Sequence, residues 1–127
     1  TNIMKKKILI VDDNQFIRTM IEEYFKNEFE IYSAENGIDA IKTLQIQVIP
    51  DLIITDINMP EMDGSSLFYH LKTSLVYQNI PLIVLSATDE SAERINYLSL
   101  GACDFLAKPF NPEELLVRSR NIIKLAS

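Results

Sequence analysis

Short β-branched runs alternate with stretches of helical spacing five times along these 127 residues, and that alternation leaves few folds open. Lys6–Val11 (KKILIV) ends in consecutive apolar positions, as a strand covered on both faces must. In Ile17, Met20, Ile21, Tyr24 and Phe25 the apolar spacing becomes helical and predicts one apolar face. Phe29–Ala34 (FEIYSA) is predicted as the next strand, and Ile38, Ile41 and Leu44 mark a second helix. Leu52–Thr55 (LIIT) is the third strand, followed by a third helix striped by Leu67, Phe68, Leu71 and Leu75. Pro81–Ser86 (PLIVLS) is the fourth, its proline suited to a first strand position. Ala92, Ile95 and Leu98 carry a fourth helix that Gly101 caps. Asp104–Ala107 (DFLA) is a short fifth strand. The last helix opens at Asn111-Pro112-Glu113-Glu114, with a cap residue, a proline at the first position and acids on the positive dipole end. It runs on through Leu115, Leu116, Ile122 and Ile123.

Five strand–helix units predict an α/β fold: one doubly wound domain, its parallel sheet carrying helices on both faces through right-handed crossovers. Open sheets of this kind bind ligands at the carboxyl ends of their strands, near the point where strand order reverses. Asp12 and Asp13 follow the first strand, Asp56 the third, Lys108 the fifth, and Ser86 ends the fourth. Turns favour aspartate in any case. Three acids, a hydroxyl and a lysine, all on one sheet edge, are more than turn chemistry accounts for.

Carboxylates brought close together raise one another's pKa, and a hard divalent cation relieves the repulsion. An all-oxygen donor set with room for water suits Mg²⁺, at about 2.1 Å. One carboxylate oxygen can then attack phosphorus while the cation and a lysine hold the developing negative charge. Asp56, at the end of an otherwise apolar run, is the candidate nucleophile.

Composition narrows the field further. Apolar residues make up 47% and charged residues 24%, an ordinary globular balance with no low-complexity tract or repeat. The net charge of -6 argues against a nucleic-acid backbone as direct partner. The single cysteine, Cys103, has no disulfide partner in the chain and no neighbour at metal-ligand spacing, and is expected to be a small buried hydrophobe. MKKKILIV begins like a signal peptide, but its apolar run stops at Asp12, too short for a leader or a span; the expected location is the cytoplasm, away from membranes. Residues 1–127 are expected to form one domain, with 1–4 an expression leftover or flexible N-terminus. The closing RSRNIIKLAS has the look of a chain cut before a linker.

Four motifs stand in order: VDDN at Val11–Asn14, TDINMPEMDG at Thr55–Gly64, LSAT at Leu85–Thr88 and FLAKPF at Phe105–Phe110. On these the chain resembles the response-regulator receiver domain, the phospho-acceptor half of two-component signalling, over Lys6 to Leu125. The resemblance implies a flavodoxin-like (βα)5 sheet of order 2-1-3-4-5, like that of chemotaxis regulators. It implies that Asp56 is phosphorylated and that Asp13 and Asp56 bind Mg²⁺, or Mn²⁺ in its place. Asp12 helps and the main-chain carbonyl of Asn58 completes the protein ligands. Lys108 would pair with the phosphoryl group, Ser86 would swing to hydrogen-bond it, and Phe105 would be a switch aromatic packing inward. A cis peptide before Pro109 is implied, Ala87 leaves space for the phosphoryl group, and Asn58 and Thr88 tune its lifetime. Implied partners are a histidine kinase or histidine phosphotransfer protein as donor, and a downstream protein or fused output domain as receiver. The face formed by the fourth helix, fifth strand and fifth helix would be the output surface and a homodimer contact, with Arg94, Tyr97 and Arg118 as elements of it. The protein would be a switch rather than a turnover enzyme, catalysing only its own phosphoryl transfer and slow dephosphorylation.

Simpler roles exist for each residue alone. Asp12 can be a turn residue, Asn14 a cap, Ser86 a strand end, Phe105 core, and His70 an ordinary surface or core histidine. Rival functions fare worse. Asp56–Gly64 echoes an EF-hand loop, but Pro60 occupies a ligand position and Glu61 the required glycine. A haloacid-dehalogenase-type phosphatase needs an acid where Asn58 stands. A flavin mononucleotide carrier needs a phosphate cradle where Asp12 and Asp13 would repel phosphate, and no Walker-type glycine loop is present.

Overall fold

A computed structural model of the chain describes residues 4–46, 49–58 and 64–126. Its elements run β1 (Lys6–Val11), α1 (Gln15–Phe25), β2 (Phe29–Ala34), α2 (Gly37–Ile46), β3 (Leu52–Asp56), α3 (Gly64–Thr73), β4 (Leu82–Ser86), α4 (Ser91–Ser99), β5 (Asp104–Ala107) and α5 (Pro112–Ala126). All five strands pair in parallel in the order β2-β1-β3-β4-β5. Strand order therefore reverses at β1, whose neighbours β2 and β3 lie on opposite sides.

The unbroken apolar runs of β1, β3 and β4 are explained by two cores rather than one. Leu9, Val11, Ile53 and Val84 face one layer, where Ala40 and Leu44 of α2 and Leu67, Phe68 and Leu71 of α3 cover them. Ile8, Ile10, Ile54 and Leu85 face the other, against Ile21 and Phe25 of α1 and Leu115 and Ile123 of α5. Alternate residues of each strand serve opposite layers. Each fully buried aliphatic side chain contributes about 1.5–3 kcal/mol. No helix among the described residues is long and apolar enough to cross a membrane.

Element bounds follow the sequence reading closely, with instructive exceptions. β3 includes Asp56, one residue beyond LIIT. Pro81 lies just outside β4, where its carbonyl still accepts from the Ile53 N–H at 3.0 Å. Leu75 is not part of the α3 stripe: the helix ends at Thr73 and Leu75 is exposed. Ile38 and Tyr24 sit at the rims of their helices, partly in solvent. The largest departure is α4, none of whose residues is buried. Ala92, Ile95 and Leu98 do share a face, but it is the outward one; Ile95 is 61% exposed. The helix is turned so that Glu93, Arg94 and Tyr97 meet the body instead. Cys103 is exposed, not buried. Its N–H bonds to the Leu82 carbonyl at 2.8 Å, but the buried side-chain position there goes to its neighbour Ala102.

Helix ends obey local chemistry. The Asn14 side chain caps α1 by accepting from the Ile17 N–H at 3.2 Å. Asn111 does the same for α5, accepting from Glu113 N–H at 2.8 Å. After α4 the chain turns through Gly101 at φ 112, a left-handed conformation that favours glycine.

Candidate functional site

Backbone bonds that continue the ladders beyond the strands set the polar residues at one rim. The Asp12 N–H reaches the Ala34 carbonyl at 3.1 Å, Ile57 N–H reaches Leu85 at 3.1 Å, and Lys108 N–H reaches Ser86 at 2.8 Å. Each loop therefore leaves the sheet from a clamped position. The Lys108–Pro109 peptide is cis.

Three carboxylates converge there. Asp12, Asp13 and Asp56 can each present an oxygen such that all three lie within 4.8 Å of one another. Asp12 is fully buried and Asp56 nearly so, while Asp13 opens to solvent. Lys108 Nζ stands 2.9 Å from Asp12 Oδ2 and 3.2 Å from Asp56 Oδ2. The remaining oxygens are held by the backbone: Asn14 N–H donates to Asp12 Oδ1 at 2.9 Å, and Asn58 N–H to Asp56 Oδ1 at 3.0 Å. These turns fix each carboxylate's rotation and leave Oδ2 of both facing Lys108.

Electrostatically the site is strained toward cations. Burial pushes the Asp56 carboxyl above its ordinary 3.8; the Asn58 N–H and Lys108 pull it back, and Asp12 pushes it up again. Burial works against the Lys108 ammonium, yet Asp12 and Asp56 together raise its pKa above the ordinary 10.5. Asp12 Oδ2 is buried with no donor correctly aimed at it among the described residues. Its 2.9 Å approach to Lys108 is therefore an ion pair that answers charge but not direction. A buried oxygen short of a directed partner, within an all-oxygen acidic set, is what a hard divalent cation fits.

Ser86 is fully buried, and its hydroxyl donates to Glu93 Oε1 at 2.9 Å while accepting from Thr88 N–H at 3.2 Å. Asn58 Oδ1 lies 3.4 Å from Ala87 N, tying the loops after β3 and β4. Phe105 is 2% exposed, so its ring is already inside. The Arg94 guanidinium lies 5.2 Å from the ring centroid and donates to the Phe105 carbonyl at 3.2 Å. Tyr97 leans on the same ring at 6.3 Å and meets Phe68 edge-on at 5.5 Å. Arg94 also pairs with Asp89. Arg118 is held by Asp104 at 2.8 Å and Glu114 at 2.9 Å. His70 is exposed on α3, away from this rim.

The sequence-predicted residues Asp12, Asp13, Asp56 and Lys108 are thus brought together. Ser86 lies at the same strand edge but bonds elsewhere. Met59 to Asp63, within TDINMPEMDG, lie outside the described residues, as do Thr1 to Ile3. Sequence reasoning missed Glu93. Its signal was faint: an acid in the first turn of a helix, seven positions after the serine, normally serves the helix dipole.

A family model described as the response regulator receiver domain matches residues 8–120. The chain is 37% identical over 120 residues to "Histidine kinase P4" of Formosa agariphila, covering 94% of this chain and 9% of that protein. It is also 37% identical over 123 residues to "Probable transcriptional regulator ycf27" of Cyanophora paradoxa, covering 96% of this chain and 50% of that one. The chain thus spans half or less of the length of these curated relatives. Among solved structures, the Francisella response regulator 1452 receiver domain superposes with a TM-score of 0.88 at 31% identity, over 97% of this chain and 100% of that one. The chemotaxis response regulator CheY4 of Vibrio cholerae gives 0.85 at 30%, over 94% and 99%.

Proposed function

The chain belongs to the response-regulator receiver family, and from that premise we propose that it is a phosphorylation switch whose acceptor is Asp56. The observation that carries this is the convergence of three aspartates on one lysine, with carboxylate oxygens within 4.8 Å of one another and Lys108 in ion-pair contact with the two buried ones. A histidine kinase or histidine phosphotransfer protein is the donor. An Asp56 carboxylate oxygen attacks phosphorus, the P–N bond of the phosphohistidine breaks, and its electron pair leaves with the imidazole, which takes a proton. The product is an aspartyl phosphate.

Asp12, Asp13, Asp56 and the main-chain carbonyl of Asn58 would hold Mg²⁺, or Mn²⁺ in its place. When bound, that ion supplies charge neutralisation for the phosphoryl oxygens. Lys108 turns from its two aspartates to a phosphoryl oxygen, and the Ser86 hydroxyl donates to another. The Asn58 N–H holds Asp56 Oδ1, leaving Oδ2 as the attacking atom. Phosphorylation turns a carboxylate of one negative charge into an acyl phosphate of about two at a rim already short of cations, and the side chains that answer it lie at the roots of the loops leading to α4 and α5. The α4–β5–α5 face would then change shape for a downstream protein, a fused output domain or a second copy. Phe105 is buried already, so the switch there would exchange its Arg94 and Tyr97 contacts rather than bring the ring in from water. A cytoplasmic setting, where such donors work, and a single receiver domain over residues 1–127 complete the proposal.

Asp56→Asn tests it. Incubated with acetyl phosphate and Mg²⁺, the wild type should incorporate hydroxylamine-sensitive phosphate and the variant none, with circular dichroism unchanged. Equal incorporation by the variant would place the nucleophile elsewhere.

A further inference from the structure

The hydrogen bond between Ser86 and Glu93 has no role in the scheme above and obstructs it. A hydroxyl has one proton, and that of Ser86 is committed to Glu93 Oε1 at 2.9 Å. Its oxygen is engaged as well, accepting from Thr88 N–H at 3.2 Å. The hydroxyl cannot donate to a phosphoryl oxygen until Glu93 lets it go.

Glu93 also occupies a position where another use was open. It is the third residue of α4, whose N-cap is Glu90, and there a glutamate ordinarily reaches back to the cap residue's N–H. The Glu90 N–H is instead taken by Thr88 Oγ1 at 3.2 Å. Relieved of capping, the Glu93 carboxylate turns to the end of β4. The next residue, Arg94, bonds the Phe105 carbonyl and covers its ring. Since α4 buries no residue of its own, these polar ties and the Tyr97 ring are among the contacts that hold its body-facing side.

We propose that Glu93 is a positioning residue: a latch that holds the Ser86 hydroxyl away from the phosphoryl-acceptor site and ties its release to release of the first turn of α4. This rests on the reading of Asp56 as acceptor. Phosphoryl oxygens compete with the Glu93 carboxylate for the Ser86 proton. When they win, the first turn of α4 loses its bond to β4, and Arg94 moves with it. The latch thus raises the threshold for switching in the resting protein.

Beryllofluoride, a tetrahedral mimic of the phosphoryl group, provides the probe, followed by ¹⁹F NMR with saturating Mg²⁺. Glu93→Ala should tighten beryllofluoride binding about tenfold, the size of a lost hydrogen bond to a charged acceptor. Mg²⁺ affinity alone should stay within about twofold, because Glu93 is not in the acidic cluster. Glu93→Gln keeps the shape and a weaker, neutral acceptor, so it should tighten binding by only about threefold. Its isosteric fit keeps the test open if the alanine variant is poorly folded. In a Ser86→Ala background neither change should matter. A gain that persists without Ser86, or wild-type affinity in both Glu93 variants, overturns the latch. If wild-type protein binds no beryllofluoride, the acceptor reading fails first and the latch with it.

Discussion

At the scale of single residues, the site is a compromise between burial and charge. Asp56 is almost wholly enclosed, so its ionised form is costly until a cation attends it. Its folded pKa lies above the unfolded value, so the folded state holds its proton more tightly. The stability this confers is present at low pH and is lost as pH rises from about 4 through the raised folded pKa. Asp56→Asn should therefore unfold at higher urea than wild type at neutral pH in chelator, with the gap closing as pH falls to about 4. A gap independent of pH would mean that burial does not govern this carboxyl. Lys108 answers two carboxylates at once. Lys108→Ala should leave Mg²⁺ affinity within about threefold but weaken beryllofluoride binding at least about tenfold, by loss of a charge-assisted bond. Unchanged beryllofluoride affinity would remove Lys108 from the mechanism. The acids and the lysine were legible because each follows an apolar run directly. Glu93 was not, because its partner lies across a turn whose path no local pattern specifies.

At the scale of elements, the strands were legible to within a residue, and α5 was announced by Asn111, Pro112 and the two glutamates. Consecutive apolar residues can only be a strand covered on both sides or a buried helix, and their short length decides between these. Apart from Cys103, in the turn before β5, the misreadings concern how an element is rotated or where it stops. The stripe Ala92–Ile95–Leu98 identifies α4 as a helix but not which way it faces. The Tyr97 ring, packed between Phe68 and Phe105, settles that orientation and leaves the aliphatic stripe in solvent. Replacing Ile95 and Leu98 together by serine should therefore shift stability by about 0.5 kcal/mol or less. Leu115→Ala on α5, fully buried, should cost about 2–5 kcal/mol. Urea unfolding measures both; a large loss from the α4 pair would mean that its stripe is packed after all.

At the scale of the whole molecule, two apolar layers hold a rigid sheet whose one polar rim collects charge from loops far apart in sequence. Folding forces Asp12, Asp13 and Asp56 together, so a ligand that relieves their repulsion must stabilise the fold. Mg²⁺ at a hundred times its Kd should add about 2.7 kcal/mol, a rise in Tm on the order of 10 °C for a chain of this size. Asp13→Asn should shrink that rise. Thermal unfolding with no response to Mg²⁺ would remove the acidic pocket as a metal site. The same rim explains why the family reading could be reached from four short motifs: each supplies one strand end, and the alternating pattern obliges those ends to meet.

The amino-acid sequence by itself determined the number and kind of elements, the parallel sheet they must build, and the set of chemical groups at its carboxyl edge. Those follow from periodicity and from residues that touch their neighbours in the chain. Only the tertiary structure decided which face α4 turns inward, that Phe105 rests under Arg94, and that the Ser86 proton is held by Glu93. The reason is physical: rotation of a half-exposed helix and the aim of a hydroxyl are set by competing contacts of similar strength, made between residues that only packing brings together.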